Sequence, residues 1–124
     1  MPSVENAVTI PQLIAGAAEA YGDSLAIDDD GRRISYRDLD QLRQQAARAL
    51  LALEVQVGER VAIWAPNICE WIIAASALHS VGAVLVPLNT RMKGAEAAFI
   101  LRESGTSLLF SIGEFLGVNY PLQL

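Results

Sequence analysis

Apolar residues recur at helical spacing in the first part of the chain. Thr9, followed closely by Pro11, is typical of a helix start, because proline is tolerated in the first turn and threonine can cap it. The apolar positions that follow are Leu13, Ile14, Ala17 and Ala18. This pattern predicts a helix that ends near Gly22.

Two short strand-like runs, 25–28 and 33–36, flank Asp29, Asp30 and Gly31. An Asp-Gly pair favours a tight hairpin turn, since glycine adopts a positive φ without strain. We therefore expect a small antiparallel hairpin.

The hairpin leads into an amphipathic pattern. Ser35 stands three residues before Asp38, which matches a helix-capping sequence. The apolar positions that follow at helical spacing are Leu39, Leu42, Ala46, Ala49, Leu50 and Leu53. Charged and polar residues lie between them, so this segment is predicted to be a helix with one buried face.

A turn at Gly58 is followed by a continuous apolar run at 61–65. Such a run is expected of a strand that is covered on both faces within a parallel sheet. Residues 68–81 then carry one charge, Glu70, over a helical length. They predict a helix that is buried nearly all round.

Gly82 ends this helix, and 83–88 form a second apolar strand that Pro87 and Asn89 close. Strand, helix and strand make a βαβ unit, which is expected to be right-handed. Residues 94–102 predict another helix and 107–112 a third buried strand. The alternation indicates an α/β fold with a mainly parallel sheet.

The chain fits one small domain of 124 residues. Residues 114–117 predict a further turn, and neither a repeat nor a polar linker divides the sequence. We expect residues 1–124 to form a single domain. The last residues, 120–124, are apolar and lack a capping or polar tail, which we interpret as the sign of an incomplete domain.

Composition narrows the classes of function. Apolar residues make up 52% of the chain and charged residues 19%, which indicates a folded protein with large buried surfaces. The net charge of -5 disfavours nucleic acid as a partner. One cysteine, Cys69, and one histidine, His79, cannot form an internal disulfide or a structural zinc site.

Targeting signals are also lacking in the sequence. The opening residues do not match a secretory signal, and no apolar run approaches the roughly 20 residues that a membrane-spanning helix needs. We therefore expect no membrane span and a cytoplasmic location.

Motifs that hold phosphates or nucleophiles are missing. The sequence contains neither a P-loop nor a GxGxxG motif. Residues 105–109 begin like a GxSxG nucleophile turn, but Leu109 replaces the second glycine. Cys69 and His79 would lie about 15 Å apart along one helix, too far to act as nucleophile and base. We interpret them as a core residue and a polar group at a helix end.

Two further clusters have structural explanations. Asp28, Asp29 and Asp30 lack the following oxygen ligands of a calcium loop, so we interpret them as turn residues. Trp64 and Trp71 are predicted to be core aromatics rather than a base-stacking platform. No catalytic, cofactor-binding or metal-binding residue is therefore assigned.

Several segments resemble one enzyme family. ISYRDL, residues 34–39, resembles the first core motif of adenylate-forming enzymes. Residues 57–91 resemble the second-motif region of acyl-CoA synthetases, including GAVLVPLN at 82–89. GEFLGVNYP, residues 113–121, is similar to the fatty and related acyl-CoA synthetase branch rather than to peptide-synthetase adenylation domains. From about Ile10 onward, the chain is identified as resembling an AMP-forming acyl-CoA synthetase.

This resemblance implies a fold and a reaction. The fold would be the start of the family's large amino-terminal domain: a helix, a β-hairpin and βαβ units of a mainly parallel sheet. Such enzymes join a carboxylic acid to AMP using ATP and Mg²⁺, then transfer the acyl group to coenzyme A. Their phosphate loop, their later nucleotide-binding motifs and their catalytic lysine have no counterpart here. The chain alone is therefore expected to be inactive and to bind none of these cofactors.

The matching positions are expected to build the scaffold. The predicted helix caps and turns are Ser35, Gly58, Asn67 and Gly82. Asn89 and Arg91 follow a strand's carboxyl end, where α/β folds bind ligands, although we favour packing or loop hydrogen bonding for them.

The leading hypothesis is the scaffold-forming start of an acyl-CoA synthetase, whose partner is the missing remainder of the domain. The alternatives are a non-catalytic interaction module, pairing with another chain or with itself, and a decayed-gene product. An unrelated small α/β enzyme lacks any candidate active site. A parallel sheet without further strands should leave an unpaired edge and exposed apolar faces.

Overall fold

The computed structural model describes residues 3–124, which form four α-helices around a three-stranded parallel sheet, with two short hairpins. The elements in chain order are α1 (Ile10–Tyr21), β1 (Leu25–Asp29), β2 (Arg32–Ser35), α2 (Tyr36–Ala52), β3 (Arg60–Trp64), α3 (Cys69–Ser80), β4 (Val84–Leu88), α4 (Gly94–Ser104), β5 (Leu108–Ser111), β6 (Glu114–Phe115) and β7 (Val118–Asn119). A 3₁₀ turn, Pro121–Gln123, follows β7. The predicted α/β fold is confirmed.

The first two helices begin where the sequence predicts. The Thr9 hydroxyl accepts a hydrogen bond from the Gln12 backbone N–H at 3.2 Å, and the Ser35 hydroxyl accepts one from the Asp38 N–H at 3.0 Å. Each bond satisfies one of the N–H groups that a helix start leaves without an intrahelical partner. Between these helices, β1 and β2 pair antiparallel around a tight turn in which Asp30 and Gly31 have φ of 49° and 90°.

The central sheet has the strand order β4-β3-β5, and both pairings are parallel. Val61 of β3 lies opposite Leu85 of β4 and Leu108 of β5. β3 is the middle strand, and its residues from Val61 to Trp64 are buried. This burial on both faces explains why its sequence is an unbroken apolar run.

Helices cover the sheet on both faces. On one face, Val61 and Ile63 pack with buried residues of α2 and α3, including Leu50 and Leu78. On the other face, Ala62 and Trp64 belong to a second core with the α4 residue Ala97 and with Leu88 and Tyr120. Alternate side chains of β3 therefore enter different cores, as strand geometry requires.

Some details differ from the sequence-based expectations. Pro87 lies inside β4 rather than ending it, which an edge strand tolerates because one side of its backbone needs no partner. β5 is half-buried instead of buried, and the turn expected at 114–117 is part of the β6–β7 hairpin. α3 is mostly enclosed, but Ile72 is 42% exposed. Across residues 3–124, no helix has the length and apolarity needed to cross a membrane.

Candidate functional site

The carboxyl ends of β3 and β4 open into a cavity of about 590 Å³. The loops that follow the two strands supply most of its walls. The lining residues are Ala65, Pro66, Asn67, Trp71, Pro87, Leu88, Asn89, Thr90, Arg91 and Phe115. This end of a parallel sheet is where α/β folds bind their ligands, so the cavity is the candidate site.

The loop after β4 is held in place by two aromatic residues. The Trp64 indole N–H donates to the Asn89 carbonyl oxygen at 3.0 Å, and the Tyr120 hydroxyl donates to the Thr90 carbonyl oxygen at 2.8 Å. The rings of Trp64 and Tyr120 meet edge to face, with centroids 4.8 Å apart. Both polar ring atoms thus find partners although the rings are buried, and the loop is fixed to the core.

Asn89 also shapes the loop with its side chain. Its amide oxygen accepts a hydrogen bond from the Arg91 backbone N–H at 2.8 Å. This is the local side-chain-to-backbone bond that asparagine commonly makes in turns. The interpretation of Asn89 as a loop hydrogen-bonding residue is confirmed.

The lining of the cavity has few ionisable groups. Its polar side chains are Asn67, Asn89, Thr90 and Arg91, and among the residues that line it there is no carboxylate, imidazole or thiol. Arg91 is exposed and is the only cation of the lining. Carboxylates, imidazoles and thiols are the usual general acids, general bases and activated nucleophiles, so the lining is suited to contacting a ligand.

A second cluster of polar residues joins the hairpin to the start of α3. The Asp29 carboxylate accepts a hydrogen bond from the Cys69 backbone N–H at 3.0 Å. Arg32 donates to Glu70 Oε2 at 2.9 Å and also pairs with Asp29. Asp29 thereby caps α3 from a distant part of the chain, since the residue at the N-cap position, Ile68, makes no side-chain capping bond.

The charges in this cluster stabilise one another. The Arg32 hydrogen bonds lower the pKa of Glu70 to about 2. The hydrogen bond from the Cys69 N–H lowers the pKa of Asp29, and the hydrogen bond from Arg32 lowers it further. The hydrogen bonds to Glu70 and Asp29 raise the pKa of Arg32. Burial raises the pKa of the Cys69 thiol, and the neighbouring carboxylates add to the effect. Cys69 is therefore a protonated thiol at neutral pH, and not a reactive thiolate.

The cluster does not fit the magnesium ion that adenylate-forming enzymes use. Ligand atoms of Asp29, Cys69 and Glu70 lie within 4.8 Å of one another. Mg²⁺ requires oxygen ligands, and here both carboxylates are already paired with the Arg32 guanidinium while the third group is a thiol. The cluster connects the hairpin to α3 and offers no cation site of the kind the family's chemistry needs.

The structure also settles several residue-level predictions. Cys69 and His79 lie in the first and last turns of α3, so they do not meet, and Cys69 is buried. Trp64 is a fully buried core residue, whereas Trp71 is half-buried and lines the cavity. The prediction that Asn67 caps α3 is wrong, because Asp29 supplies the capping oxygen. The hydrogen bond between Asp29 and Cys69 could not be predicted from local sequence, because the two residues lie forty positions apart.

Sequence comparison identifies relatives along most of the chain. The family model described as AMP-binding enzyme matches residues 14–119. A methyl-dioxo-octahydro-indenyl propanoyl:CoA ligase from Mycobacterium tuberculosis is 40% identical over 111 residues, covering 90% of this chain and 22% of the relative. A crotonobetaine/carnitine–CoA ligase from Salmonella typhimurium is 34% identical over 116 residues, with coverage of 90% and 22%.

The fold is also found in a solved structure. The inhibitor-bound N-terminal domain of FACL13 from Mycobacterium tuberculosis matches with a TM-score of 0.80 and 30% sequence identity. The match covers 83% of this chain and 26% of the FACL13 chain. The expected resemblance to acyl-CoA synthetases is confirmed, and the chain spans about a fifth of the length of the curated ligases. It is a member of the AMP-binding enzyme family.

Proposed function

We propose that the chain is the amino-terminal part of the adenylate-forming domain of an ATP-dependent acyl-CoA ligase. The observation that carries this proposal is the match of residues 14–119 to the AMP-binding family. The ligase relatives, of which the chain spans 22%, supply the substrate classes: a carboxylic acid and coenzyme A. The proposed location is the cytoplasm, which suits a chain whose one cysteine is a free thiol.

The proposed reaction has two steps. A carboxylate oxygen attacks the α-phosphorus of ATP, forming an acyl-AMP and releasing pyrophosphate. The thiol sulfur of coenzyme A then attacks the acyl carbonyl carbon, forming the thioester and releasing AMP. When bound, Mg²⁺ would neutralise charge on the phosphates, and the cluster of Asp29, Cys69 and Glu70, with both carboxylates paired to Arg32, does not suit this ion.

The contribution of this chain to that reaction is scaffold and not catalysis. The carboxyl-end cavity offers amides, one hydroxyl and one guanidinium, which can contact a ligand without exchanging protons with it. Trp64 and Tyr120 hold its loop in a fixed position through the two hydrogen bonds to backbone carbonyls. We propose that the catalytic groups and the binding sites for ATP, Mg²⁺ and coenzyme A lie in the rest of such an enzyme.

The proposal is tested by exchange of radioactive pyrophosphate into ATP. The 124-residue chain with a panel of carboxylic acids should show no exchange above the enzyme-free background. A chimera in which residues 14–119 replace the matching segment of the Mycobacterium tuberculosis ligase should retain exchange with that ligase's own acid. Exchange by the lone chain would overturn the proposal. So would a folded chimera without exchange, which would favour the alternative of a non-catalytic interaction module.

A further inference from the structure

A second cavity adjoins the carboxyl-end cavity, between the β1–β2 hairpin and the start of α3. Its volume is about 430 Å³, and we call it the hairpin cavity. Its lining residues are Ile27, Asp28, Asp29, Asp30, Asn67, Ile68, Cys69, Trp71 and Ile72. Asn67 and Trp71 line the carboxyl-end cavity as well, so these two residues form a wall that the two cavities share.

The shared wall stands where a loop becomes a helix. Asn67 belongs to the loop between β3 and α3, and Trp71 belongs to the first turn of α3. Two local hydrogen bonds shape this segment: the Ile68 N–H donates to the Pro66 carbonyl oxygen at 2.9 Å, and the Trp71 N–H donates to the Ile68 carbonyl oxygen at 3.0 Å. Bonds of this kind set the shape of the turn, but they do not fix its place relative to neighbouring elements.

Asp29 ties this segment to another element. It belongs to β1, and its carboxylate accepts the hydrogen bond from the Cys69 N–H at 3.0 Å. The Asp29 side chain is only 17% exposed, and it also pairs with Arg32, the residue opposite it in the hairpin. A carboxylate held in this way fixes the start of α3 relative to the hairpin. Without it, a first-turn N–H would lack a partner within the helix.

The later turns of α3 are held independently of this bond. Ala77 and Leu78 have no exposed surface and pack in the core that contains Val61 and Ile63 of β3. The ends of a helix open more readily than turns that are buried in a core. Loss of the cap should therefore loosen the first turn of α3 and the loop before it, and leave the rest of the helix in place.

We propose that Asp29 is a positioning residue for the carboxyl-end cavity, because it holds Asn67 and Trp71 where a substrate of the ligase reaction contacts them. Asn67 is exposed and Trp71 is half-buried, so a ligand in the cavity meets an amide and an indole ring. Asp29 does not line this cavity and acts through these two residues. The inference rests on the proposed function and names a residue that supports its binding site.

Fluorine NMR of the lone chain tests the effect on the shared wall. The chain contains two tryptophans, Trp64 and Trp71, so labelling with fluorotryptophan gives one resonance for each. Asp29→Ala should shift or broaden the Trp71 resonance, because the first turn of α3 loses its cap. The Trp64 resonance should stay unchanged, since that ring is fully buried in the core on the other face of the sheet.

Two further variants separate the cap from other effects. Asp28→Ala is the matched control, because Asp28 accepts a hydrogen bond from the Gly31 N–H at 3.1 Å and pairs with Arg33 at 3.2 Å, both within the hairpin. It should leave both resonances unchanged. Asp29→Asn is the rescue, because an amide oxygen can still accept the Cys69 N–H. It should restore most of the Trp71 signal.

Substrate binding is measured in the chimera that carries residues 14–119 in the Mycobacterium tuberculosis ligase. KM values for the acid and ATP come from pyrophosphate exchange, and the KM for coenzyme A comes from thioester formation. Asp29→Ala should raise the KM of the substrate that occupies the cavity about two- to fivefold with kcat nearly unchanged, because the ordered wall is then present in only a fraction of the molecules. Asp28→Ala should change no KM, and Asp29→Asn should restore most of the affinity.

The outcomes are distinguishable. Unchanged KM values for all three substrates in Asp29→Ala would overturn the inference, as would an equal effect of Asp28→Ala. Equal changes of the Trp64 and Trp71 resonances would show a general loosening of the chain and would also overturn it. A chimera that lacks exchange even with Asp29 in place would contradict the proposed function, and the fluorine spectra of the lone chain would still decide whether Asp29 holds the wall.

Discussion

Strands β3 and β5 lie side by side in the same sheet but are enclosed to different degrees. In β3, Val61, Ala62 and Trp64 have no exposed surface and Ile63 has 2%. All four residues of β5 are half-buried. Among residues 3–124, β3 has strand neighbours on both sides and β5 has one, and Phe110 of β5 lines an apolar cavity between α2 and α3.

The difference shows where this chain completes a structure and where it leaves one open. Helices α2, α3 and α4 all belong to the chain and enclose the centre of the sheet. The β5 margin is also apolar, but its residues are only half-buried among residues 3–124, with Leu108 and Phe110 packed against one core and Leu109 against the other. An apolar run therefore predicts that a strand is buried. It does not predict whether the element that covers the strand belongs to the same chain.

The largest contrast is expected from truncating one aromatic residue in each strand. Trp64→Ala removes a fully buried ring, its edge-to-face contact with Tyr120 and its hydrogen bond to Asn89. The free energy of unfolding should fall by about 3–5 kcal/mol. Phe110→Ala removes a half-buried ring and should cost roughly 1–2 kcal/mol. Urea denaturation of both variants measures the difference, and equal losses would mean that the margin is as well packed as the centre.

A smaller contrast is expected from two glycines that border these strands. Gly82, before β4, has a φ of +77°, and an added Cβ would lie 3.2 Å from a methyl carbon of Val57. Its carbonyl also accepts a hydrogen bond from the Gly58 N–H at 2.8 Å. Gly82→Ala should therefore destabilise the chain by about 1–2 kcal/mol.

Gly113, just after β5, is the matched control for Gly82. A Cβ there would meet no atom within 4 Å, and the backbone does not require a positive φ. Gly113→Ala should change stability by no more than about 0.5 kcal/mol. Thermal unfolding of the two variants measures this difference in stability. A Gly113 variant that unfolds at as low a temperature as the Gly82 variant would contradict the prediction.

The smallest effect is expected from the charges that join the hairpin to α3. The folded-state pKa values of Glu70 and Asp29 are lowered, that of Glu70 to about 2, from ordinary values of 4.5 and 3.8. Their contribution to stability is therefore present above about pH 5 and is lost as the pH falls toward 2. Glu70→Gln should reduce the loss of unfolding free energy at low pH, because it removes one of the two carboxylates.

Glu19→Gln provides the comparison for this experiment, since Glu19 is an exposed glutamate on α1. Urea denaturation between pH 2 and pH 7 should give a shallower pH dependence for the Glu70 variant than for the Glu19 variant. Indistinguishable curves would show that the ion pairs around Arg32 contribute nothing to the docking of the hairpin.

Local signals in the sequence were enough to predict most elements. Ser35 caps α2, the Asp30–Gly31 turn forms the hairpin, and the apolar run of β3 lies at the centre of a parallel sheet. Each of these depends on residues within a few positions of one another, or on a pattern that one strand carries by itself. The same holds for the placement of Asn89 at a strand's carboxyl end.

Contacts between distant segments could not be predicted in this way. Asp29 caps α3 across forty positions, and Tyr120 fixes the loop after β4 through Thr90. Nothing near Cys69 or Thr90 in the sequence signals either contact. The β6–β7 hairpin was missed because strands of two residues are too short to show a period.

Amide hydrogen exchange of the lone chain tests most directly whether its centre is complete and its margin open. The account predicts strong protection across 61–64 in β3, and rapid exchange of the β5 amides that face away from β3. Adding the complementary part of the Mycobacterium tuberculosis ligase should slow exchange in β5 and leave β3 unchanged. Equal protection of the two strands in the lone chain would contradict the account, since it would mean that this chain already covers its own margin.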